Sequence, residues 1–190
     1  MATILLHACC GPCASACAER LRGAGCDVTL FFSNANIAPA EEYVRRRDAA
    51  RRLAELTGIA FVEDAGASHA EWLEHVAKGL ENEPEGGARC RKCFEFSLRR
   101  AAAYAREHGF DKFTTSLTVS PHKRSQTVFE AGRVAGGDAF AEEDFKKRDG
   151  FRRSVALAAE YGLYRQSYCG CEFSLRKGME KTAGHATEVP

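Results

Sequence analysis

Four short apolar segments, each separated from the next by a stretch of helix length, restrict this chain more than any other feature. Residues 3–8 (TILLHA), 27–32 (DVTLFF), 59–63 (IAFVE) and 110–117 (FDKFTTSL) are the expected strands, rich in β-branched and aromatic residues. Between them lie a helix-like segment ending at Gly23 and Gly25, a helix over 40–57 stopped by Gly58, a Trp72-bearing helix, and a long helix from Cys90 to about His108. In the 40–57 helix, Tyr43, Val44, Leu53 and Leu56 are expected to form the buried side. Connections this long return the chain to begin a parallel neighbour, whereas a hairpin needs only a tight turn. The expected fold is therefore α/β: a single-domain three-layer sandwich around a mainly parallel sheet, with sites at the carboxyl ends of the strands. At 190 residues, without an internal repeat or a linker, one domain over 1–190 is expected.

Twenty-seven Lys and Arg against 26 Asp and Glu give a net charge of +1, so no global field gathers nucleic acid, and any such binding must come from local patches. The N-terminus lacks a basic n-region, and no apolar run approaches the ~20 residues of a membrane span, so a soluble, cytoplasmic protein without a membrane partner is expected. Thiols there stay reduced. Nine cysteines in such a chain point to metal binding or redox chemistry before a disulfide scaffold.

Eight of the nine fall in three clusters: Cys9, Cys10, Cys13 and Cys17; Cys90 and Cys93; and Cys169-Gly170-Cys171. The first follows directly on the first strand, with Gly11 for the tight turn and Pro12 at a plausible first helical position. Its earliest cysteines meet the positive end of a helix dipole, which favours thiolate. Cys90 and Cys93 repeat that arrangement beside Arg89, Arg91 and Lys92, which are expected to stabilise negative sulfur. Two such pairs make a four-thiolate site, which zinc and an iron–sulfur cluster accept alike. Cys17 and the isolated Cys26 read as small buried hydrophobes. Gly170 lets the chain curl between Cys169 and Cys171, so this pair reads as a reversible dithiol/disulfide couple, with a second metal site as the rival.

In order, LLHACCGPC, NANIAPAEEYVRR, RCRKCFEFSL, TTSLTVSPHK, EEDFKKRDGFRRS and LYRQSYCGCEFS resemble epoxyqueuosine reductase of the QueH type over about residues 4–175, leaving 176–190 as a C-terminal tail. The chain departs from the family's usual Asn-Pro-Asn turn at Ser33-Asn34-Ala35-Asn36-Ile37-Ala38-Pro39. The resemblance implies a cobalamin-independent oxidoreductase for the last step of queuosine synthesis on tRNA, which removes the epoxide oxygen and leaves an alkene. It implies a [4Fe-4S] cluster on Cys9, Cys10, Cys90 and Cys93, a redox-active pair at Cys169 and Cys171, and an additional iron for which Cys13 is the first ligand to consider. The implied partners are tRNA carrying epoxyqueuosine in its anticodon loop and an unidentified electron donor. The fold is also similar to PP-loop and adenine nucleotide alpha hydrolase-like domains, but HACCGPC stands where those carry SGGxDS, so no ATP chemistry is expected.

Deoxygenation needs two electrons and two protons; a thiol or Tyr168 is a candidate proton donor, and His7 a candidate hydrogen-bond donor to a cluster sulfur. For tRNA, Lys146, Lys147, Arg148, Arg152 and Arg153 form a basic run, extended by Arg99, Arg100 and Arg106, with Arg152 and Arg153 expected on phosphate. Phe145, Phe151, Tyr164, Arg165 and Tyr168 are candidate stacking platforms for a splayed base. Two rival functions are an iron–sulfur tRNA sulfur-transferase on a PP-loop-like fold and a non-enzymatic module stapled by zinc.

Overall fold

The computed structural model describes residues 1–64 and 66–175. Strands β1 (Thr3–His7), β2 (Asp27–Phe32), β3 (Ala60–Glu63) and β4 (Lys112–Thr115) form one sheet in the order β3-β2-β1-β4, parallel at every pairing. The helices are α1 (Gly11–Gly23), α2 (Ala40–Thr57), α3 (His69–Trp72), α4 (Ala88–Glu107), α5 (Ser125–Gly136) and α6 (Gly150–Glu160).

Period-two alternation along β1 sorts the core into two layers. Ile4 and Leu6 pack with Ala14, Cys17 and Leu21 of α1, Leu53 of α2 and Ala158 of α6. Leu5 faces the opposite side, with Phe94, Leu98 and Ala101 of α4 and Val128 and Ala131 of α5. A parallel sheet needs both faces covered, and each leucine buried this way contributes ~1.5–3 kcal/mol. This is the expected three-layer sandwich.

From β1 the chain steps outward to β2 and β3 on one side, while β4 joins on the other. The carboxyl end of β1 is therefore a topological switch point, where loops leaving in opposite directions open a crevice. The turn carrying Cys9 and Cys10 lies at that point, and Ser116 leaves the adjacent β4.

Several local expectations need correction. The fourth strand stops at Thr115, whose hydroxyl takes the Leu117 amide at 3.2 Å and starts a 3₁₀ turn over Ser116–Val119. Helix α2 has the expected bounds and buries Leu53 as expected, but Val44 and Leu56 are 41% and 43% exposed, and Glu42, Arg46, Ala49, Ala50 and Ala54 complete the buried face instead. The cause is close packing on α1. A Cβ at Gly11 would lie 2.5 Å from the Ala49 carbonyl oxygen, so Gly11 is there for helix approach rather than for an unusual turn. Helix α3 continues as a π turn over Leu73–Ala77, and α5 and α6 have no counterpart among the expected elements. The expected tail, 176–190, lies outside the described residues. Among those described, no helix is long and apolar enough to cross a membrane.

Candidate active site

Cys10 caps α1: its sulfur accepts the Cys13 amide at 3.4 Å, with the backbone extended at the cap. Strand, cap and first helical turn thereby bring the Cys9, Cys10 and Cys13 sulfurs within 4.8 Å of one another. Ser116 holds Cys9 from both ends, its hydroxyl donating to the sulfur at 3.4 Å and accepting the Cys9 amide at 3.0 Å. Gln166 donates its side-chain amide to Cys10 at 3.0 Å and lies 3.8 Å from the Cys13 sulfur. Cys17, one helical turn further on, is fully buried in the core with its thiol on the Cys13 carbonyl, as its reading as a small hydrophobe requires.

Cys90 and Cys93 lie in the first two turns of α4. The Gly86 amide donates to the Cys90 sulfur at 3.2 Å. The Trp72 indole N–H is buried without a well-formed hydrogen bond and lies against the Cys93 sulfur. The expected cationic neighbour is elsewhere: Arg89, 2% exposed, folds back to the Leu80, Glu81 and Glu83 carbonyls at 2.8–3.0 Å and so shapes the loop before α4.

Cys169-Gly170-Cys171 has no regular secondary structure of its own and is held by distant residues. Arg46, 2% exposed, pairs with Glu42 at 2.6 Å and donates to the Cys169 and Tyr168 carbonyls at 2.8 and 3.0 Å. The Ala38 amide donates to the Gly170 carbonyl at 2.9 Å, and the Tyr168 hydroxyl donates to the Ala38 carbonyl at 2.5 Å. Gly170 has φ 142°, and a Cβ there would come within 3.0 Å of Asn36 and 3.2 Å of Arg46. Both flanking cysteines are free thiols, Cys169 half-buried and Cys171 8% exposed beside Trp72 and Ala77.

These segments meet around a cavity of about 420 Å³, whose lining includes Cys9, Cys13, Cys93 and Cys169. A second cavity of similar size, lined by Cys90, shares Cys169, Glu85, Phe94, His122 and Lys123 with the first. Cys10 lies just beneath the lining, 1% exposed.

The electrostatics suit bound positive charge. Cys9 sits well below the ordinary thiol range, because the Cys10 and Cys13 sulfurs lie against its own and Lys123 and Ser116 assist, against the cost of burial. Burial pushes Cys10 up to about 12 and raises Cys93, and the hydrogen-bonded partnership with Cys10 and Cys9 raises Cys13. A cation that brings its own charge into the site would offset the cost of ionising these buried thiols. An all-sulfur donor set, with N–H and O–H groups on three of the sulfurs, fits zinc or an iron–sulfur cluster.

Other expected site residues have different work. Both ring nitrogens of His7 are bonded within the protein, to the Thr115 hydroxyl at 2.9 Å and the Ser33 carbonyl at 3.0 Å, so it is a satisfied strand-end histidine. Lys146 turns inward, Arg100 pairs with Asp64 at 2.7 Å, and Arg153 makes a double contact with Glu19 at 2.6 and 2.9 Å, which removes them from the free basic face. Phe145 is 1% exposed beneath Arg20 and offers no stacking face, unlike the exposed Phe151 and Tyr164. Gln166, Ser116 and Trp72 carry no motif signal as sulfur donors, although Gln166 stands in the LYRQ segment.

A family model described as epoxyqueuosine reductase QueH matches residues 4–177. The chain belongs to that family. Curated relatives carrying the same description include one from Streptococcus pyogenes serotype M1, 42% identical over 183 residues, covering 92% of this chain and 71% of the relative. Another, from Thermotoga maritima, is 35% identical over 188 residues and covers 96% of this chain and 95% of the relative. Among solved structures, a protein described as a predicted subunit of tRNA methyltransferase from Methanocaldococcus jannaschii superposes with a TM-score of 0.57 at 13% identity, over 84% of this chain and 75% of that one. The last likeness is one of fold alone. Membership of the QueH family makes this chain an oxidoreductase and leaves the roles of the individual cysteines to chemistry.

Proposed function

We propose that this protein reduces epoxyqueuosine to queuosine in tRNA, in the cytoplasm, with a [4Fe-4S] cluster on Cys9, Cys10, Cys90 and Cys93 and a redox-active pair at Cys169 and Cys171. The observation that carries this reading is the family match over 4–177 together with a thiol-lined cavity at the switch point of the sheet. The cluster, when bound, passes electrons one at a time, and an additional iron near Cys13 would act as a Lewis acid on the epoxide oxygen. The chain's residues do the rest. Ser116, Gln166 and the Gly86 amide donate to three of the sulfurs and offset the burial of their negative charge. Arg46 fixes Cys169 at the cavity wall, and the half-buried Cys169 faces substrate while the buried Cys171 resolves it. Exposed Phe151 and Tyr164 serve a splayed anticodon base, and Arg152, whose single contact with Asp149 at 2.6 Å lies open to solvent, exchanges it for phosphate.

The test is anaerobic incubation of iron-loaded protein with epoxyqueuosine-containing tRNA and a chemical reductant, followed by mass analysis of the released nucleosides. Loss of one oxygen mass with appearance of queuosine is the expected result. A colourless anaerobic preparation with stoichiometric zinc and no conversion would overturn the proposal.

A further inference from the structure

The chain enters α6 through a tight turn over 145–149, in which Arg148 and Asp149 lie consecutively in the left-handed region, with φ 56° and 58°. Among the described residues no other non-glycine residue has a positive φ. Aspartate tolerates that region, whereas arginine is strained there and glycine would hold the same turn freely. The two ends of the turn impose the strain. Phe145 is 1% exposed, and the Lys146 ammonium turns inward to the Thr118 and Lys123 carbonyls and the Ser125 hydroxyl at 2.6–3.2 Å. The Arg20 guanidinium donates to the Asp144, Phe145 and Lys147 carbonyls at 2.5–3.4 Å. Gly150 closes the other end, where a Cβ would lie 1.7 Å from the Phe145 carbonyl oxygen.

The side chains presented by this frame add nothing to the fold. Lys147 and Arg148 are exposed, and neither side chain has a hydrogen bond, ion pair or ring contact among the described residues. The acids around them are taken: Asp144 faces Lys146 at 3.7 Å, Asp149 faces Arg152 at 2.6 Å and Glu19 faces Arg153 at 2.6 Å. Strain maintained at a residue without an internal partner points to a partner outside the molecule. Phe151, three residues after Arg148, is 41% exposed and lines the first cavity. A nucleotide whose base enters that cavity leaves its phosphates at the rim, where two unpartnered cations stand.

Resting on the epoxyqueuosine reading, we propose that the 145–149 turn is a preformed tRNA hook, in which the strained Arg148, together with Lys147, binds backbone phosphate of the anticodon loop beside the nucleotide in the cavity. The anchored frame spares the binding step the cost of ordering this segment.

The experiment measures the affinity of anaerobic holoenzyme for epoxyqueuosine-containing tRNA over a series of salt concentrations, and its thermal unfolding, for the parent, Arg148→Gly, Lys147→Ala and Arg52→Ala. Arg148→Gly should unfold about 2–4 °C higher, because glycine adopts the positive φ without strain. It should nevertheless bind tRNA about tenfold more weakly, with a salt slope shallower by about 0.7–1. Lys147→Ala should weaken binding similarly with an unchanged midpoint. Arg52, 58% exposed in the half of α2 that leads to β3, is the control: its loss removes the same charge and should leave affinity and slope at the parent values. Parent affinity in Arg148→Gly overturns the hook. So does a lowered midpoint in that variant, which would make the side chain a support of the fold, and so does an equal loss of affinity in Arg52→Ala, which would make binding a matter of net charge. Duplex DNA bound as tightly as the tRNA, with the same dependence on Arg148, would make the turn a general polyanion surface and overturn the tRNA assignment. A parent that binds this tRNA but leaves its epoxide intact overturns the enzymatic reading alone, and the variants still decide the hook.

Discussion

Two of the thiol-bearing segments that line the cavity are built in contrary ways. The backbone of Cys9, Cys10 and Cys13 is placed by the chain immediately around it, a buried strand, a cap and the first turn of a helix, with Ser116 and Gln166 added from afar on the sulfurs. Cys169-Gly170-Cys171 is placed by Arg46, Asn36 and Ala38, more than 120 residues away in sequence. A ligand set gains from a frame that is hard to deform, whereas a pair that must cycle between dithiol and disulfide gains from a segment outside regular structure. Separate disturbance of the two walls is the test of this division.

The largest effect is expected from Arg46→Met, which removes the clamp on Cys169 and leaves Glu42 buried without its cation. Breaking a buried pair costs roughly 3–5 kcal/mol. Denaturant unfolding should show that loss, and turnover should fall further than iron content. Next is Asp64→Asn. Burial works against the Asp64 carboxylate, but Arg100, the Ser33 hydroxyl and the Gly66 amide outweigh it and hold its pKa below the usual value. A depressed folded pKa adds stability above the unfolded value of about 3.9, and this is lost as pH falls through the folded value. Asp64→Asn should therefore be less stable near neutrality and show a flatter acid limb in unfolding midpoint against pH.

Gly170→Ala acts on one wall only. A side chain at φ 142° that also crowds Asn36 and Arg46 costs about 1–3 kcal/mol. Turnover should drop while iron content holds. Cys10→Ser works in the opposite sense: serine keeps the helix cap, so metal-free stability should change by less than about 1 kcal/mol while iron binding falls. The smallest effect belongs to Arg153→Ala. Its pair with Glu19 is exposed and screened by solvent, so stability should barely change, and tRNA affinity and its salt slope should scarcely move because that guanidinium is already engaged. A steep loss of tRNA binding would show that Arg153 leaves Glu19 for phosphate.

The same contrast explains what could be read in advance. The strand–cysteine–helix turn and the bounds of α2 were legible because cap, proline and glycine act within a few residues of the features they mark. The inward turn of Lys146 was not, because a surplus of positive charge in a run does not say which side chain finds Thr118, Lys123 and Ser125. Nor were Val44 and Leu56, whose exposure follows from the approach of α2 to Gly11 across the layer. Trp72, Ser116 and Gln166 reach the sulfurs from three separate segments, and spacing within a motif carries no information about such neighbours. The hydrogen bond from the Tyr168 hydroxyl to the Ala38 carbonyl was equally invisible, because its acceptor lies 130 residues away in sequence.

The division of labour between the two walls is tested most directly by iron per chain in anaerobically purified Cys90→Ser and Cys169→Ser, measured beside the parent. Cys90→Ser should lose the cluster iron and its visible absorption, and Cys169→Ser should retain both at the parent level while failing to turn over. Iron lost from Cys169→Ser, or kept in full by Cys90→Ser, would contradict the assignment of ligands to one set of thiols and redox cycling to the other.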